Sequence, residues 1–133
     1  MKELSWSNTL SVEVQEIDDD HRKLVGLFNM LNHSVEEGDD SNYIDAVLEE
    51  LISCTAWHFR HEERLMVKYG YADYEEHYSE HQKLIESARE LQQSLKQQGS
   101  QITNENIEFL ENWLTEHILV DDMRLGSFLA QVM

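Results

Sequence analysis

Proline is absent from this chain, and three glycine-containing breaks divide it into four long segments. The breaks lie at Gly38, Gly70 and Gly99. Within each segment, apolar residues recur at intervals of three and four, which is the period of one face of an α-helix. The pattern predicts helices at about residues 18–37, 41–69, 74–98 and 103–120. Residues 1–17 have no clear period and are predicted to form an arm.

Short connections between helices make consecutive helices antiparallel neighbours. The predicted fold is therefore all-α, an up-down-up-down four-helix bundle with the N-terminal arm packed along it. The 133 residues fit one domain, which at this size buries about two-thirds of its unfolded surface. A single cysteine, Cys54, excludes a disulfide framework. We therefore expect a single domain spanning residues 1–133.

The charge balance excludes several classes of partner. The chain has 27 acidic and 10 basic residues, a formal net charge of −17. Such a polyanion is not expected to bind nucleic acid or an acidic membrane surface, since both need cationic side chains. No apolar run reaches the roughly 18–20 residues that a membrane span requires. The N-terminus lacks the apolar core of a signal peptide, so a cytoplasmic location is predicted.

Histidine interrupts the apolar face of every predicted helix. The five histidines on these faces are His21, His58, His77, His81 and His117. A lone histidine on such a face is usually a core residue, but five from four helices would bury about ten ring nitrogens. Each unpaired buried polar group costs about 1–3 kcal/mol. A metal centre would take one nitrogen of each ring, so the pattern indicates a metal site inside the bundle.

The spacing supports this interpretation. His58 and Glu62 are four residues apart, as are His77 and His81, so each pair shares one helix face. The zinc-protease motif His-Glu-x-x-His is absent, because Leu65 stands at the position of its second histidine.

Four sequence elements together resemble the hemerythrin family in its bacterial branch, the bacteriohemerythrins. They are Ile17-Asp18…His21, His58-Phe59-x-x-Glu62-Glu63-x-x-Met66, His77-x-x-x-His81 and Trp113-Leu114-x-x-His117-Ile118-x-x-x-Asp122. The resemblance implies reversible O2 binding at a non-haem centre of two iron ions joined by an oxo or hydroxo bridge. The implied iron ligands are His21, His58, Glu62, His77, His81, His117 and Asp122, with Glu62 and Asp122 bridging.

The choice of Asp122 rests on the resemblance, because helix geometry alone favours Asp121. Asp121 is four residues after His117 and shares its face, whereas Asp122 lies about 140° away on an ideal helix. For Asp122 to point inward, the fourth helix has to loosen or end near residues 119–122.

The implied ligand count favours binding over catalysis. Two six-coordinate irons have about twelve positions, and these ligands with a bridging oxygen fill all but one. The aromatic residues Trp57, Phe28, Phe59 and Trp113 lie on or beside the ligand faces, so the open position should meet an apolar wall. By resemblance, Leu114 lines the O2 pocket. We expect this pocket to consist of Leu114, Trp113, Phe28 and Phe59.

The sequence leaves other functions open at the same site. A di-iron enzyme or detoxifier acting on nitric oxide, peroxide or iron(II) would use the same residues, as would an iron-storage or sensing module. We expect a binding protein that passes O2 to an O2-consuming acceptor protein, and not an enzyme. The oligomeric state is open, with a monomer favoured. His33 and His61 fall outside the ligand pattern and are expected at the surface or beside the ligands.

Overall fold

The computed structural model describes residues 11–99 and 102–133, with the side chains of residues 98 and 118–120 excepted. Its elements are α1 (Gln15–Glu36), α2 (Ser41–Tyr69), α3 (Tyr74–Gln98), α4 (Asn104–Glu116), the π-helical turn π1 (His117–Asp122) and α5 (Met123–Val132). No strand occurs among these residues, which confirms the predicted all-α class. None of the described helices combines the length and apolar character needed to cross a membrane.

The helices close into a ring, and this arrangement confirms the predicted four-helix bundle. Helix α1 packs on α2, α2 on α3, and α4 on both α3 and α1. Two apolar clusters fill the interior. The first holds the buried side chains of the α1 and α2 segments nearest their connecting loop, together with those of α4. The second holds Val12, Val14, Ile17, Met66, Tyr71, Leu125 and Leu129. The candidate site lies between the two clusters along every helix that contributes to both.

The predicted bounds of the second and third helices coincide with α2 and α3. Helix α2 begins after Asp40, whose side chain accepts a hydrogen bond from the backbone N–H of Asn42. Gly70 and Gly99 end α2 and α3 with φ of 69° and 62°, a left-handed conformation that glycine adopts without steric cost. A capping box between Thr103 and Asn106 starts α4.

The first helix begins at Gln15, three residues before the predicted start. Asp18 does not open the helix, because its carboxylate is turned back onto the arm. It accepts hydrogen bonds from the Ser11 hydroxyl at 2.6 Å and the Val12 backbone N–H at 2.9 Å. These bonds hold Val12 and Val14 against α5, so the described end of the arm packs on the bundle as expected. Residues 1–10 of the predicted arm lie outside the described residues.

The predicted end of the fourth helix near residue 120 is wrong. The helix continues through π1 into α5 and ends at Val132. Its apolar face resumes with Leu125 and Leu129, both fully buried in the second cluster. The change of register inside π1 interrupts the 3.6-residue period, so the sequence pattern breaks there although the helix does not.

Gly126 is the point where the arm touches α5. A Cβ at this position would lie 2.6 Å from the Cβ of Val12 and nearer still to its carbonyl oxygen. We expect Gly126→Ala to lower the free energy of unfolding by about 1–3 kcal/mol, because the arm must move to admit the methyl group. Urea unfolding followed by circular dichroism measures the change.

Gly26 provides the matched control. It lies inside α1, and apart from its chain neighbours and the adjacent backbone of the same helix, no atom stands within 4 Å of the place that a Cβ would take. Gly26→Ala should raise the free energy of unfolding by about 0.5–1 kcal/mol, since alanine favours a helix interior. A stabilising effect of both substitutions would contradict the close packing of the arm on Gly126.

Candidate metal centre

Seven buried side chains meet between the two apolar clusters. Each is exposed by no more than 6%, and Glu62 and Asp122 are fully buried at the middle. Their potential ligand atoms form two groups that could each hold a metal ion, and both groups contain Glu62 and Asp122. The first group adds His77, His81 and His117, and the second adds His21 and His58. The structure thus brings together all seven residues that the resemblance implied as ligands.

In the three-histidine group, every Nε2 atom faces the same side of the two carboxylates. His81 Nε2 lies 3.0 Å from Glu62 Oε1. His117 Nε2 and His77 Nε2 lie 3.0 Å and 3.2 Å from Asp122 Oδ1. The three rings therefore converge on one oxygen of each carboxylate.

The two-histidine group uses the other oxygen of each carboxylate. His21 Nε2 lies 2.8 Å from Asp122 Oδ2, and His58 Nε2 lies 3.1 Å from Glu62 Oε2. The two nitrogens are 2.9 Å apart. Each carboxylate therefore presents one oxygen to each group, which is the arrangement of a bridging ligand.

The carboxylates and imidazoles shift each other's pKa values. Burial lowers the pKa of His77, but the carboxylates of Asp122 and Glu62, which face its Nε2, outweigh this effect and raise the pKa to about 9. Burial likewise opposes the charge on His58, yet Glu62, Asp122 and Asp20 raise its pKa well above the ordinary value. Burial raises the pKa of Asp122, and the neighbouring histidines, His117 first, bring it well below its usual range. The cluster is thus built for negative carboxylates balanced by positive charge.

Unpartnered atoms test whether these residues fit metal ions. His81 Nε2, His117 Nε2, Glu62 Oε2 and Asp122 Oδ1 are buried and form no hydrogen bond in the described structure, although each lies 3.0–3.1 Å from a polar atom of another residue of the cluster. Buried polar groups are rarely left unpaired in native proteins. Here the unpaired atoms are imidazole nitrogens and carboxylate oxygens that converge on common points, and such N and O donors suit iron. The side chains therefore fit a pair of metal ions.

Three carboxylates outside the centre hold the far nitrogens of the histidines. Asp20 Oδ2 lies 3.0 Å from His58 Nδ1, and Glu63 Oε2 lies 2.8 Å from His81 Nδ1. Asp121 Oδ2 lies 3.5 Å from His117 Nδ1. The hydrogen bonds of Asp20 and Glu63 fix the tautomer and orientation of His58 and His81, so that Nε2 of each ring is free for a metal. His117 Nδ1 forms no hydrogen bond in the described structure.

Sequence reasoning did not identify Asp20 and Glu63 as partners of histidines. Asp20 stands in a run of three aspartates that suits a helix N-terminus, and Glu63 follows the carboxylate of Glu62, so neither gave a separate signal. His61, expected at the surface or beside the ligands, lies at the rim. Its Nδ1 is 2.7 Å from Asp20 Oδ2 and its Nε2 is 3.0 Å from Glu16 Oε2. His33 is exposed, near Glu37.

The turn π1 places Asp122 and Asp121 on different faces. A π-helical turn pairs residues five apart, so Asp122 takes the position below His117 that Asp121 would occupy in an α-helix. Asp122 is fully buried, whereas the Asp121 side chain is 32% exposed. The loosening of the fourth helix that was predicted near residues 119–122 is therefore a π-helical turn.

A small cavity of about 10 Å³ adjoins both histidine groups, at His21 and at His117. It is lined by His21, Leu24, Thr55, Phe59, Trp113, Leu114 and His117. Three of the residues expected in the O2 pocket, Phe59, Trp113 and Leu114, are among them. Phe28 is not. It lies two turns beyond His21 on α1 and is buried in the first apolar cluster.

Trp57 also does not form a wall of this cavity, contrary to expectation. Its side chain is 57% exposed, because it precedes His58 by one residue and so points about 100° away around α2. It lines an outer groove with Cys54, Lys23 and His58. Cys54 is half-buried there.

Comparison with known proteins places this geometry in a family. Residues 12–129 match the model of the hemerythrin HHE cation binding domain. A bacteriohemerythrin of Pseudomonas paraeruginosa is 34% identical over 122 residues, which cover 92% of this chain and 78% of that protein. A bacteriohemerythrin of Methylococcus capsulatus is 32% identical over 113 residues, covering 85% and 86%. The crystal structure of a wild-type hemerythrin superposes with a TM-score of 0.87 at 29% identity, covering 96% of this chain and 98% of that one.

Proposed function

The chain belongs to the hemerythrin family, and from this we propose that it binds O2 reversibly at a non-haem di-iron centre, for oxygen transport, storage or delivery. The proposed ligands are His21, His58, Glu62, His77, His81, His117 and Asp122. An oxo or hydroxo group would complete the bridge between the irons. The observation that carries the proposal is the division of Glu62 and Asp122, each with one oxygen toward three histidines and the other toward two.

This division makes the two halves unequal. With six positions per iron, three histidines, two carboxylates and a bridging oxygen complete one half. The half with His21 and His58 is one ligand short, and the small apolar cavity borders this half at His21, as it borders the other half at His117. When bound, the iron pair would supply the electrons that reversible O2 binding requires. The protein's own side chains decide what else can reach that position.

Apart from the proposed ligands His21 and His117, the polar side chains of the cavity wall already donate their hydrogen bonds elsewhere. Thr55 donates its hydroxyl to the Leu51 carbonyl at 2.7 Å, and Trp113 donates its indole N–H to the Leu84 carbonyl at 2.8 Å. Phe59 stacks on the His81 ring with centroids 3.8 Å apart. Such a wall admits O2, which needs no hydrogen bond, and disfavours water and protons. This supports binding in preference to turnover.

The proposal is tested by metal analysis and an optical spectrum. The purified protein should hold about two iron atoms per chain, and the anaerobic iron(II) form should gain a near-ultraviolet and visible band in air that disappears when O2 is removed. His81→Ala should lose at least one iron, whereas His33→Ala, at an exposed site away from the cluster, should keep both. Zinc alone in protein made with ample iron would contradict the proposal.

The reversibility of the band separates binding from enzymatic roles at the same centre. A band that decays irreversibly, together with rapid consumption of nitric oxide, peroxide or excess iron(II), would favour an enzyme or a storage protein. Slow consumption of all three substrates with a reversible band is the expected result.

A further inference from the structure

Two of the proposed ligands are more exposed than the rest. His77 and His117 are each 6% exposed, whereas the other five are exposed by 0–1%. Both belong to the three-histidine group, and both open onto the same side of the bundle, between α3 and π1.

Each of the two histidines lines a cavity. His77 lines one of about 40 Å³ with Tyr71, Asp73, Glu76, Glu80, Asp121 and Arg124. His117 lines one of about 380 Å³ with Glu80, Leu84, Trp113, Glu116 and Asp121. Because both cavities include Glu80 and Asp121, they adjoin, and together they are called the acidic cleft here. Five carboxylates and one guanidinium line the acidic cleft.

The carboxylates of the acidic cleft are largely uncommitted. Asp73, Glu76 and Glu80 form no ion pair with any residue that the structure describes. The opposite side of the centre differs, because the groove beside His58 contains Lys23, and its one carboxylate, Asp20, already binds His58 and His61. The acidic cleft therefore presents more uncommitted carboxylates to a cation than the groove beside His58 does, although Asp20, His58 and His61 there also form a group that could hold a metal ion.

Tyr71 adds an independent indication of a ligand. It is 9% exposed, and its buried hydroxyl has no hydrogen-bond partner in the described structure. The residue lines the smaller cavity, and its ring meets the ring of His77 edge-on, with centroids 6.3 Å apart. Buried hydroxyl groups are normally paired, so an unpaired oxygen among carboxylates suits a passing hydrated cation.

We propose that the acidic cleft is the route by which Fe2+ reaches the centre, meeting the carboxylates of Glu76 and Glu80 first and His77 next. This inference rests on the proposed di-iron function. A cleft lined by charge of one sign raises the local concentration of the opposite ion and accelerates its association by about 10- to 1,000-fold. Oxygen ligands suit a hydrated divalent cation before the imidazoles displace its water.

The test is the rate at which Fe2+ enters the metal-free full-length protein without air. The protein is mixed with Fe2+, and unbound iron is trapped at timed intervals by a coloured Fe2+ chelator. At low ionic strength, the double variant Glu76→Gln/Glu80→Gln should take up iron about tenfold more slowly than the wild type, yet reach the same final content. High salt should slow the wild type toward the rate of the variant, since it screens the charges.

Two further variants check the role of charge at this place. Glu105→Gln/Glu108→Gln removes the same charge from exposed positions about 14–18 Å from His117 along α4, and should leave the rate unchanged. Arg124→Gln removes the cation of the acidic cleft and should accelerate uptake by about two- to threefold. Circular dichroism verifies that every variant is folded.

Unchanged uptake by the Glu76/Glu80 variant, or equal slowing by the remote pair, would overturn the route. The first result would mean that iron passes elsewhere, and the second that only net charge matters. Failure of the wild type to bind iron at all is a different result, which would contradict the di-iron function itself.

Discussion

Asp122→Ala is expected to abolish the stable dinuclear centre, with iron falling from about two atoms per chain to one or fewer and the O2-dependent band lost. Asp122 is fully buried and presents one oxygen to each histidine group, 2.8 Å from His21 Nε2 and 3.0 Å from His117 Nε2. Alanine therefore removes a ligand from both irons in one step. Metal analysis after complete loading and the spectrum in air measure the loss.

Asp121→Ala is the matched control, one residue away. Asp121 is partly exposed and contacts the outer nitrogen of His117 at 3.5 Å, so its loss removes no proposed ligand. Loaded to completion, this variant should hold nearly two irons and keep its band. Equal iron content and equal spectra for the two variants would show that the bridging carboxylate is wrongly assigned.

Leu114→Ala is expected to accelerate autoxidation of the oxygenated protein while leaving O2 binding nearly as fast. Leu114 is 3% exposed and lines the small apolar cavity beside His21 and Phe59. A smaller side chain widens the path for O2 and admits water or anions, which can displace the bound oxygen. The cavity left behind should also lower the free energy of unfolding by about 2–5 kcal/mol.

Leu110→Ala separates the role of the pocket from loss of packing. Leu110 lies one turn earlier on α4, is fully buried, and does not line the cavity. This variant should lose a similar amount of stability with no change in autoxidation. Stopped-flow O2 binding and the decay of the oxy spectrum compare the three proteins. If the oxy spectrum of Leu114→Ala decayed at the wild-type rate while the melting temperature fell, Leu114 would have only a packing role in the core.

Local sequence chemistry was sufficient to predict much of the fold. The bounds of α2 and α3 follow from glycines that stop a helix and from the Asp40 cap, which act within a few residues. The start of α1 could not be predicted in this way. Asp18 looks like a residue of a helix N-terminus, but its carboxylate binds the arm, and that contact is visible only once the arm is placed.

The candidate site, too, could be predicted only in part from local sequence signals. The spacing of four residues predicted that His58 shares a helix face with Glu62, and His77 with His81. The resemblance to the family implied the remaining ligands His21, His117 and Asp122. The outer partners Asp20 and Glu63 act across helices, so their roles depend on packing and not on spacing. Trp57 was misplaced because an aromatic residue beside a ligand can point to either side of a helix face.

The turn π1 also sets the register of α5, that is, which of its side chains face the interior of the bundle. Before the turn, the inward side passes through Leu110, Leu114 and His117, and one more α-helical step would bring Asp121 and then Arg124 or Phe128 inward. The extra residue of the π-helical turn shifts the inward-facing positions by one, so that Asp122, Leu125 and Leu129 face the interior. Regular α-helical pairing through the turn, with no residue removed, would therefore withdraw the Asp122 carboxylate from the centre and turn Arg124 toward the second apolar cluster. Deleting one residue from 118–121 would instead keep Asp122, Leu125 and Leu129 inward, because Asp122 would then follow His117 by four residues. The metal ligand and the second apolar cluster thus depend on the same extra residue.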